Sequence, residues 1–515
     1  MGKLILIATA AAGAAAFAEM PVLDFAKTVP LRPALHGSGL GGCLIGAGAK
    51  RIDELKPLNF HGTRTHDWAL NNPGQRLLDT HFIFPLLHLD AKDERNYFFG
   101  PTDEILDQTV NRLGLQVMYR LGTSIESVNS RRDWKDESAP KPGYYNCVEP
   151  ADWEKYATVL EHIIAHYVEG WNRGYRWQDK IRYWELWNEP NDRPGGSWLN
   201  ADGDFDHDRN LARFVRFYAY TLKRLKTRFP HLKFGGPAAC GWKRMQFLKD
   251  LLAECKAVGY TPDFISWHMY TPSPHFMLNA PEQFKRLCEE SGFGEMELVI
   301  NEWHYLPYDG VWGDFGRGPE AYARTINPVD GLGSIEDAIY TLQVEEGVQH
   351  TILDQSHWYG CNPAYGAIWG IRKSDGSLNK PYYAQLYMGT IVGDCDRCAA
   401  RAKGLSFESP WQAYGYVSKD GRRKYVSVSR FKGLSSFALE IKGLDGLRCT
   451  SIRMLDRDRD FVEVVDQQRL ASGRAEESLT PFSPAVSAPV FRRKGDVFTF
   501  ERFETGSVAW LFTFE

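Results

Sequence analysis

The sequence predicts an α/β protein, a (β/α)8 TIM barrel with an appended C-terminal antiparallel β-sandwich. Between residues 34 and 380, short apolar runs that suit buried parallel strands alternate with amphipathic helical stretches. After about Pro381 the helical periodicity fades, and short alternating runs separated by turn residues replace it. The chain has 515 residues, of which 43 % are hydrophobic, and this is enough for two or three domains with large cores.

Eight strands are predicted for the barrel, with helical stretches between most of them. In chain order the strands are Ala34–Gly41, Phe60–His66, Leu115–Leu121, Ile181–Asn188, Leu232–Gly236, Asp263–His268, Leu298–Glu302 and Thr351–Gln355. The helical stretches include Thr102–Leu113, Ala151–Gly170, Asp208–Arg228, Trp242–Val258 and Ser334–Glu346. Asp208 and Ser334 are predicted N-caps, and Gly170 is a predicted helix stop.

The last third of the chain has the period-2 pattern of half-buried strands. The clearest runs are Trp411–Val417, Lys424–Arg430, Phe437–Ile441, Val497–Phe500 and Ser507–Phe514. Residues 471–489, which are rich in Ser, Ala and Pro, are predicted to form a long loop. We therefore divide the chain into an N-terminal segment over 1–18, a segment over 19–33 that could add a strand to the sandwich, a barrel over 34–380 and a sandwich over 381–515.

Charge and cysteine content narrow the classes of function. The net charge is −4 and no basic run is present, so the electrostatic footprint of a nucleic-acid partner is missing. The nine cysteines are scattered and do not form a dense disulfide framework. The tight pair Cys395-x-x-Cys398 could be a local disulfide, half of a zinc site or an incidental pair. We expect no metal and no cofactor, and the oligomeric state is left open.

The N-terminus has the order of features found in export signals. Lys3 is followed by an apolar stretch to Phe17, and Ala16-Phe17-Ala18 precedes Glu19 as a small-residue cleavage site. This stretch is too short and too rich in alanine for a membrane span. We expect a secreted or periplasmic protein without a membrane partner. The alternative is a cytoplasmic protein whose chain starts with an ordinary strand or helix.

Two apolar runs end in the same dipeptide, Asn-Glu. These are Asn188-Glu189, after the fourth predicted strand, and Asn301-Glu302, at the end of the seventh. Active sites of such barrels lie at the C-terminal ends of the strands, where strands four and seven face each other across the mouth. A carboxylic acid that protonates a leaving oxygen and a carboxylate that attacks the anomeric carbon are the pair that a retaining glycosidase requires.

These residues and their surroundings resemble glycoside hydrolase family 39, within the clan that carries its catalytic carboxylates on strands four and seven. The resemblance rests on Trp-Asn-Glu-Pro at 187–190 and on the Glu at 302, and further on Arg64-Thr-His66-Asp67, Gly235-Gly236-Pro237 and Phe264-Ile-Ser-Trp-His268-Met-Tyr270. That family includes β-xylosidases, α-L-iduronidases and arabinoside-active enzymes. The family's barrel and its appended β-sandwich agree with the pattern of the chain.

The resemblance implies a role for each matched residue. Glu189 corresponds to the acid/base and Glu302 to the nucleophile, and Asn188 corresponds to the ligand of the sugar 2-hydroxyl. The predicted substrate contacts are His66, Arg64, His268, Tyr270, Trp303 and Trp358. Two departures concern the sugar and not the reaction. Trp303 is followed by His304, where the family more often has Asn, and the segment 354–359 after strand eight matches no single activity.

The nearest alternatives concern individual residues and the class of function. Glu185 lies four residues before Glu189, about 13 Å below the mouth, and is interpreted as a structural carboxylate paired with an arginine such as Arg64. The predicted partner is a carbohydrate: a terminal β-D-xyloside or α-L-arabinoside of a plant or microbial glycan, or alternatively an α-L-iduronide. A non-catalytic carbohydrate-binding barrel and a metal-dependent hydrolase using His61, His66, His268 and His304 are the competing classes.

Overall fold

The structure is a computed structural model, and it describes part of the chain. The described residues are 20–32, 36–39, 52–65, 78, 80–86, 88–122, 125, 149–191, 207–241, 245–307, 319–325, 327, 329–350, 356–358, 377–399, 401–433, 435–464, 490–494, 497–504 and 506–515. The predicted export segment 1–18, the loop 471–489, the strand Thr351–Gln355 and His66 lie outside these ranges.

The described residues form a mixed α/β structure. Its strands, β1 to β18 in chain order, are Val22–Asp24, Thr28–Pro30, Gly62–Arg64, Gln116–Leu121, Tyr183–Leu186, Lys233–Cys240, Phe264–Thr271, Glu297–Tyr305, Ser356–Trp358, Cys395–Ala399, Trp411–Ser418, Lys424–Arg430, Ser435–Lys442, Cys449–Leu455, Asp460–Glu463, Val490–Lys494, Val497–Glu504 and Val508–Phe514. Its α-helices, α1 to α10, are Ile52–Leu55, Thr80–Ile83, Gly100–Asp107, Trp153–Val168, His207–Arg228, Met245–Ala257, Pro274–Glu290, Pro319–Thr325, Ile335–Val348 and Lys380–Asp394. A π-helical turn, Gln108–Arg112, continues α3, and short 3-10 turns lie at Lys56–Leu58, Glu94–Asn96 and Trp171–Arg173.

One sheet is entirely parallel and contains seven strands in sequence order, from β3 to β9. Residues 36–39 run beside β3 in the parallel sense through a bridge between Gly37 and Gly62. The Ser38 amide donates to the Gly62 carbonyl at 3.2 Å, and the His61 amide donates to the His36 carbonyl at 2.8 Å. All strand carboxyl ends therefore lie at one edge of this sheet, because parallel strands with helical crossovers share a direction.

The helices between these strands largely follow the predicted ranges. The predicted cap at Ser334 is confirmed, since its hydroxyl accepts from the amides of Glu336 and Asp337 at the start of α9. Gly170 adopts a left-handed φ of 79° just beyond α4, as a helix stop requires. The prediction that Asp208 caps a helix is wrong, because α5 already includes His207.

The C-terminal third forms two further sheets. One has the order β1-β13-β17-β16, and the other has the order β15-β14-β18-β12-β11-β10-β2. Side chains from both sheets enter one hydrophobic cluster, which includes Leu439, Phe500, Val426, Trp510 and Phe512. The stacked rings of Trp411 and Phe437, 4.6 Å apart, join the two sheets inside it.

The segment before the parallel sheet supplies one strand to each C-terminal sheet. Strand β1 pairs with β13 in the parallel sense, with Leu23 opposite Ile441. Strand β2 pairs with β10 in the antiparallel sense, with Val29 opposite Cys398. Residues 22–30 therefore belong to the same sheets as the C-terminal third of the chain.

Helix α10 was not predicted, because the helical periodicity was expected to fade at Pro381. Apolar and aromatic residues occur all around this helix, from Tyr382 and Tyr387 to Met388, Ile391 and Val392, so it lacks the polar face that makes a helix visible in a sequence. It packs against α9 on one side and the C-terminal sheet on the other, and the Tyr387 hydroxyl donates to the Trp510 carbonyl at 2.7 Å. The change to strands comes after Asp394.

Helix α9 is buried along its whole length, although it carries four acidic residues. It bridges the parallel sheet and the C-terminal sheets through hydrogen bonds. Toward the parallel sheet, Asp337 Oδ2 lies 3.0 Å from His304 Nε2. Toward the C-terminal sheets, Gln343 donates to Ser429 Oγ at 3.2 Å and Glu346 accepts from the Tyr416 hydroxyl at 3.0 Å.

Two further expectations can be compared with the described residues. No helix among them is long and apolar enough to cross a membrane. Six described cysteines, including Cys395 and Cys398, are free thiols, so the possibility of a local disulfide between those two is wrong.

Candidate active site

The predicted carboxylates meet at the carboxyl edge of the parallel sheet. Asn188 and Glu189 follow the end of β5, and Glu302 lies within β8. Glu189 Oε1 is 2.7 Å from His268 Nδ1, and the same nitrogen is 3.4 Å from Glu302 Oε2. One side-chain atom from each of Glu189, His268 and Glu302 lies within 4.8 Å of the other two. The histidine of β7 thus lies between the two carboxylates.

The chain leaves β5 through backbone conformations that are rare for residues with a side chain. Trp187 and Glu189 have φ values of 77° and 46°, and Ala238 opposite them has 55°. The Glu189 amide donates to the Ala238 carbonyl at 3.0 Å, which ties the exit of β5 to β6. Such left-handed residues persist only where their surroundings hold them, and they concentrate at functional sites.

A bulge in β8 brings two consecutive side chains to the same face. Ile300 pairs with Trp267, but the next pair is Glu302 with His268, so Asn301 is an extra residue in β8. In a regular strand, neighbouring side chains point to opposite faces. Here Asn301 contacts the buried Glu185, and Glu302 contacts the residues of the site.

Three residues from two strands contact Glu302. The Tyr270 hydroxyl donates to its Oε1, Arg64 Nη1 lies 3.5 Å from its Oε2, and His268 approaches the same oxygen. Burial raises the pKa of the Glu302 carboxyl above its ordinary value. His268, Arg64 and the Tyr270 hydrogen bond oppose that rise, while the neighbouring Glu189 adds to it. The net direction of the shift in the Glu302 pKa is upward.

Beneath these groups lies a buried polar network that centres on Glu185. Arg64 Nε donates to Glu185 Oε2 at 2.6 Å, so the predicted pairing of this carboxylate with Arg64 is confirmed. Arg64 Nη2 donates to Asn188 Oδ1 at 2.8 Å. Ser266 and Asn301 both donate to Glu185 Oε1. Neither Ser266 nor Asn301 was assigned a role from the sequence. The position of Asn301 next to Glu302 was a signal that could have indicated its role.

The remaining predicted contacts are placed as follows. Trp303 is 2 % exposed and packs in the large core, with its ring 6.3 Å from that of Tyr340. Trp358 is the last residue of β9, where its backbone pairs with Ile300. His304 is fully buried and contacts Asp337, and His61 lies before β3, so the described histidine beside the carboxylates is His268.

Comparison with known proteins relates part of the chain to a described family. Residues 71–290 match the family described as Glycosyl hydrolases family 39. This match covers less than half of the chain. The matched range includes Glu189 and His268 and ends before Glu302, which joins the site through its geometry.

A curated relative matches about half of the chain. A β-xylosidase from Geobacillus stearothermophilus is 30 % identical over 290 residues, which are 50 % of this chain and 51 % of the xylosidase. The match therefore spans about half the length of that relative.

Solved structures resemble almost the whole chain in fold. A glucosidase from Croceicoccus marinus has a TM-score of 0.66 and 17 % identity, over 96 % of this chain and 99 % of its own. An α-L-arabinofuranosidase from Thermotoga maritima, solved with arabinose, has a TM-score of 0.53 and 14 % identity over 96 % and 99 %. At such identities the likeness concerns the fold alone.

Proposed function

We propose that the protein is a retaining, exo-acting glycoside hydrolase that removes terminal sugars by double displacement. The observation that carries this proposal is the proximity of Glu189 and Glu302, whose nearest carboxylate oxygens lie within 4.8 Å of each other. Retaining enzymes place their two carboxyl groups about 5–5.5 Å apart, whereas inverting enzymes leave about 6.5–9.5 Å for a water molecule. The proximity of these oxygens supports the retaining arrangement.

In the first step of the proposed reaction, a Glu302 oxygen attacks the anomeric carbon while Glu189 donates its proton to the departing glycosidic oxygen. The C–O bond to the leaving group breaks as the glycosyl ester forms. In the second step, Glu189 takes a proton from a water molecule, whose oxygen attacks the anomeric carbon and releases Glu302. Two inversions give net retention.

The surrounding residues would prepare the two carboxylates for these opposite roles. Arg64 and the Tyr270 hydroxyl stabilise the charged form of Glu302, which must be ionised to attack. His268 lies 2.7 Å from Glu189 Oε1 through its Nδ1 and can hold the acid in place. Asn188, fixed by Arg64, would present its amide to the sugar 2-hydroxyl.

The proposed substrate class is a terminal β-D-xyloside or an α-L-arabinoside. The relative with 30 % identity is a β-xylosidase, and one structural neighbour is an α-L-arabinofuranosidase. An α-L-iduronide is the alternative. The predicted contacts of His66, Trp303 and Trp358 with the sugar belong to this proposal.

We further propose the architecture that the sequence predicted. Residues 36–39 would be the first of eight strands and close the barrel between β9 and β3, which makes β5 the fourth strand and β8 the seventh. The two C-terminal sheets, with their common core, would form a β-sandwich that includes the segment over 19–33. The N-terminal segment would direct export to the periplasm or the medium.

The stereochemistry of the first product tests the proposal. Proton NMR of freshly started hydrolysis of aryl β-D-xylosides, α-L-arabinosides, α-L-iduronides and β-D-glucosides should show a first sugar with the anomeric configuration of its substrate. A first product of opposite configuration would show an inverting enzyme. The absence of hydrolysis of every glycoside, together with sugar binding, would favour a non-catalytic carbohydrate-binding barrel.

A metal-dependent hydrolase is the other competing class. One nitrogen and two carboxylate oxygens lie close enough to surround a cation, but Arg64 already brings a positive charge to this group. Dialysis against a chelator before the assay separates the two classes, because a retaining glycosidase keeps its rate.

A further inference from the structure

A fully buried carboxylate lies beneath the two proposed catalytic residues and takes no part in the proposed reaction. Glu185 is 0 % exposed, and each of its oxygens is engaged. Its Oε2 accepts from Arg64, and its Oε1 accepts from Ser266 and Asn301. Burying a charge costs free energy unless a partner and hydrogen bonds compensate for it, so this arrangement calls for a reason.

The first branch of the network leads from Glu185 to the nucleophile. Arg64 uses a different nitrogen for each partner: Nε for Glu185, Nη2 for Asn188 and Nη1 for Glu302. Because the guanidinium is planar and rigid, fixing Nε on Glu185 also fixes the directions of the other two nitrogens. The position of Arg64 against Glu302 therefore depends on Glu185.

The second branch leads from Glu185 to the acid/base through the backbone. Ser266 donates to Glu185 and accepts from the Ala238 amide at 2.9 Å. The Ala238 carbonyl accepts from the Glu189 amide at 3.0 Å. Ala238 and Glu189 both have left-handed φ values, which a chain adopts only when hydrogen bonds and packing hold it there.

The third branch holds the bulge of β8. Asn301, the extra residue of that strand, donates to Glu185 from its side-chain amide. This contact keeps Asn301 on the inner face and so determines the position of the next residue, Glu302.

We propose that Glu185 is a positioning residue that sets the geometry of both carboxylates at once, through Arg64 and Asn301 for Glu302 and through Ser266 and Ala238 for Glu189. The inference rests on the proposed function for its catalytic readouts. Its charge is as important as its shape, because Glu185 offsets the charge of Arg64. The groups that face Glu302 are Arg64, His268, Tyr270 and Glu189. The negative charge of Glu185 reduces the electrostatic effect of Arg64 on Glu302.

Replacement of the charge by an amide of the same shape is the main test. In Glu185→Gln, the charge of Arg64 is no longer offset, so the pKa of Glu302 should fall and the acid limb of kcat/KM should move to lower pH. We expect kcat to fall by up to about 100-fold, as small displacements of catalytic groups produce, with a smaller change in KM. An unchanged or raised pKa of Glu302 in a folded variant would overturn the proposal.

Two measurements keep this test independent of turnover and of general destabilisation. Carbon-13 NMR of glutamate-labelled protein, with the Glu302 signal assigned from Glu302→Gln, reports the titration even if no substrate is hydrolysed. Glu345→Gln is the matched control, because Glu345 is also buried and paired with a buried cationic partner, His36. It should lower the melting temperature without moving the Glu302 titration.

Ser266→Ala tests the second branch alone and protects the proposal against a Glu185 variant that does not fold. It removes the link to Ala238 and leaves the pair of Glu185 and Arg64. We expect the hydrolysis of glycosides with poor leaving groups to fall about 10-fold more than that of activated aryl glycosides, because only the former need the acid. Equal losses for both substrates would show that Ser266 does not act on Glu189.

Discussion

Glu302 combines burial with three groups that favour its charge, and this balance determines what its removal should do. In Glu302→Ala, the attacking oxygen is lost while His268, Arg64 and Tyr270 remain around the gap. We expect turnover of every glycoside substrate to fall by several orders of magnitude, on the order of 10⁴-fold or more. Azide should restore product formation with inverted configuration, which NMR of the glycosyl azide detects. Near-normal activity without azide would contradict the assignment.

The role of Glu189 should appear in how the hydrolysis rate depends on the leaving group. In Glu189→Ala the departing oxygen receives no proton, which is harmful for a sugar leaving group and less so for an acidic phenol. We expect kcat/KM for oligosaccharides to fall at least about 100-fold more than for dinitrophenyl glycosides. The comparison of the two substrate classes on one variant is its own control, and an equal loss for both would indicate a structural role.

Tyr270 should control the pH at which Glu302 becomes active. Its hydroxyl stabilises the charged carboxylate, so Tyr270→Phe should raise the pKa of Glu302 further above its ordinary value. The nucleophile must be deprotonated, and the acid limb of kcat/KM should therefore move to higher pH, with a loss of about 10-fold or more at the optimum. Phe276, an exposed aromatic residue of α7, offers the control Phe276→Leu, which should leave the profile in place. A limb that moves to lower pH in Tyr270→Phe would contradict this reading of the site.

The two carboxylates could be found from the sequence, because each follows an apolar strand and a motif that carries its own chemistry. The supporting residues were less accessible. Ser266 sits in an ordinary strand pattern, and its importance comes from contacts with Glu185 and Ala238, which are far apart in the chain. The bulge at Asn301 depends on the register between two strands, and a single sequence does not contain that register.

At the level of single elements, α9 shows how a helix can be buried and still carry acids. Its Glu346 accepts from Tyr416 and lies among groups of the C-terminal sheet, and burial raises its pKa to about 8. The unfolded chain releases this proton near 4.5, whereas the folded chain keeps it to about pH 8. The contribution of Glu346 to stability is therefore most favourable at low pH and declines as the pH rises through this window.

Glu346→Gln should remove this dependence, because an amide is neutral at every pH. Between pH 5 and pH 8 the wild-type protein should lose up to about 1.4 kcal/mol of unfolding free energy per pH unit relative to the variant. Urea unfolding midpoints at the two pH values measure the difference. Glu440→Gln, in a surface pair with Lys442, serves as the control and should show no such trend. If the unfolding free energy of the variant, relative to that of the wild-type protein, were lower at pH 8 than at pH 5, the assignment of a protonated Glu346 would be contradicted.

Among the described elements of the C-terminal third, some strands were predicted from their pattern and other elements were missed. Strand β12 was predicted with its observed bounds, Lys424–Arg430. Helix α10 was missed because it lies between two layers and has apolar residues on all sides. Strands β10, β14, β15 and β16 were also missed, since they are short or carry charged residues that interrupt the alternation.

Over the whole molecule, the C-terminal sheets reach the strand that carries Glu302. Lys432, just after β12, donates to the Tyr305 hydroxyl at 2.7 Å, and Tyr305 is the last residue of β8. Helix α9 packs against β8 of the parallel sheet and against β12 and β18, and α10 packs against α9 and against β10 and β15. We therefore expect the described layers to unfold in one cooperative transition.

Lys432→Met tests this expectation. Loss of this part-buried hydrogen bond should lower the unfolding free energy by about 1 kcal/mol. The urea midpoints for loss of activity and for loss of tryptophan fluorescence should then shift together. Lys442→Met removes a lysine that pairs with Glu440 at the surface of β13, and it should leave both midpoints nearly unchanged. Two separate transitions, only one of which responds to Lys432→Met, would show that the layers are independent.

The complete burial of α9 also affects how chimeras with related proteins could be built. A cut between the parallel sheet and the C-terminal sheets would have to leave this helix with one of them, and either choice strips partners from acids such as Glu346 or Asp337. In a chimera, the C-terminal sheets should therefore be exchanged together with α9, α10, β1 and β2. Swaps that respect this unit should give folded hybrids, whereas swaps at the apparent junction near residue 381 should not.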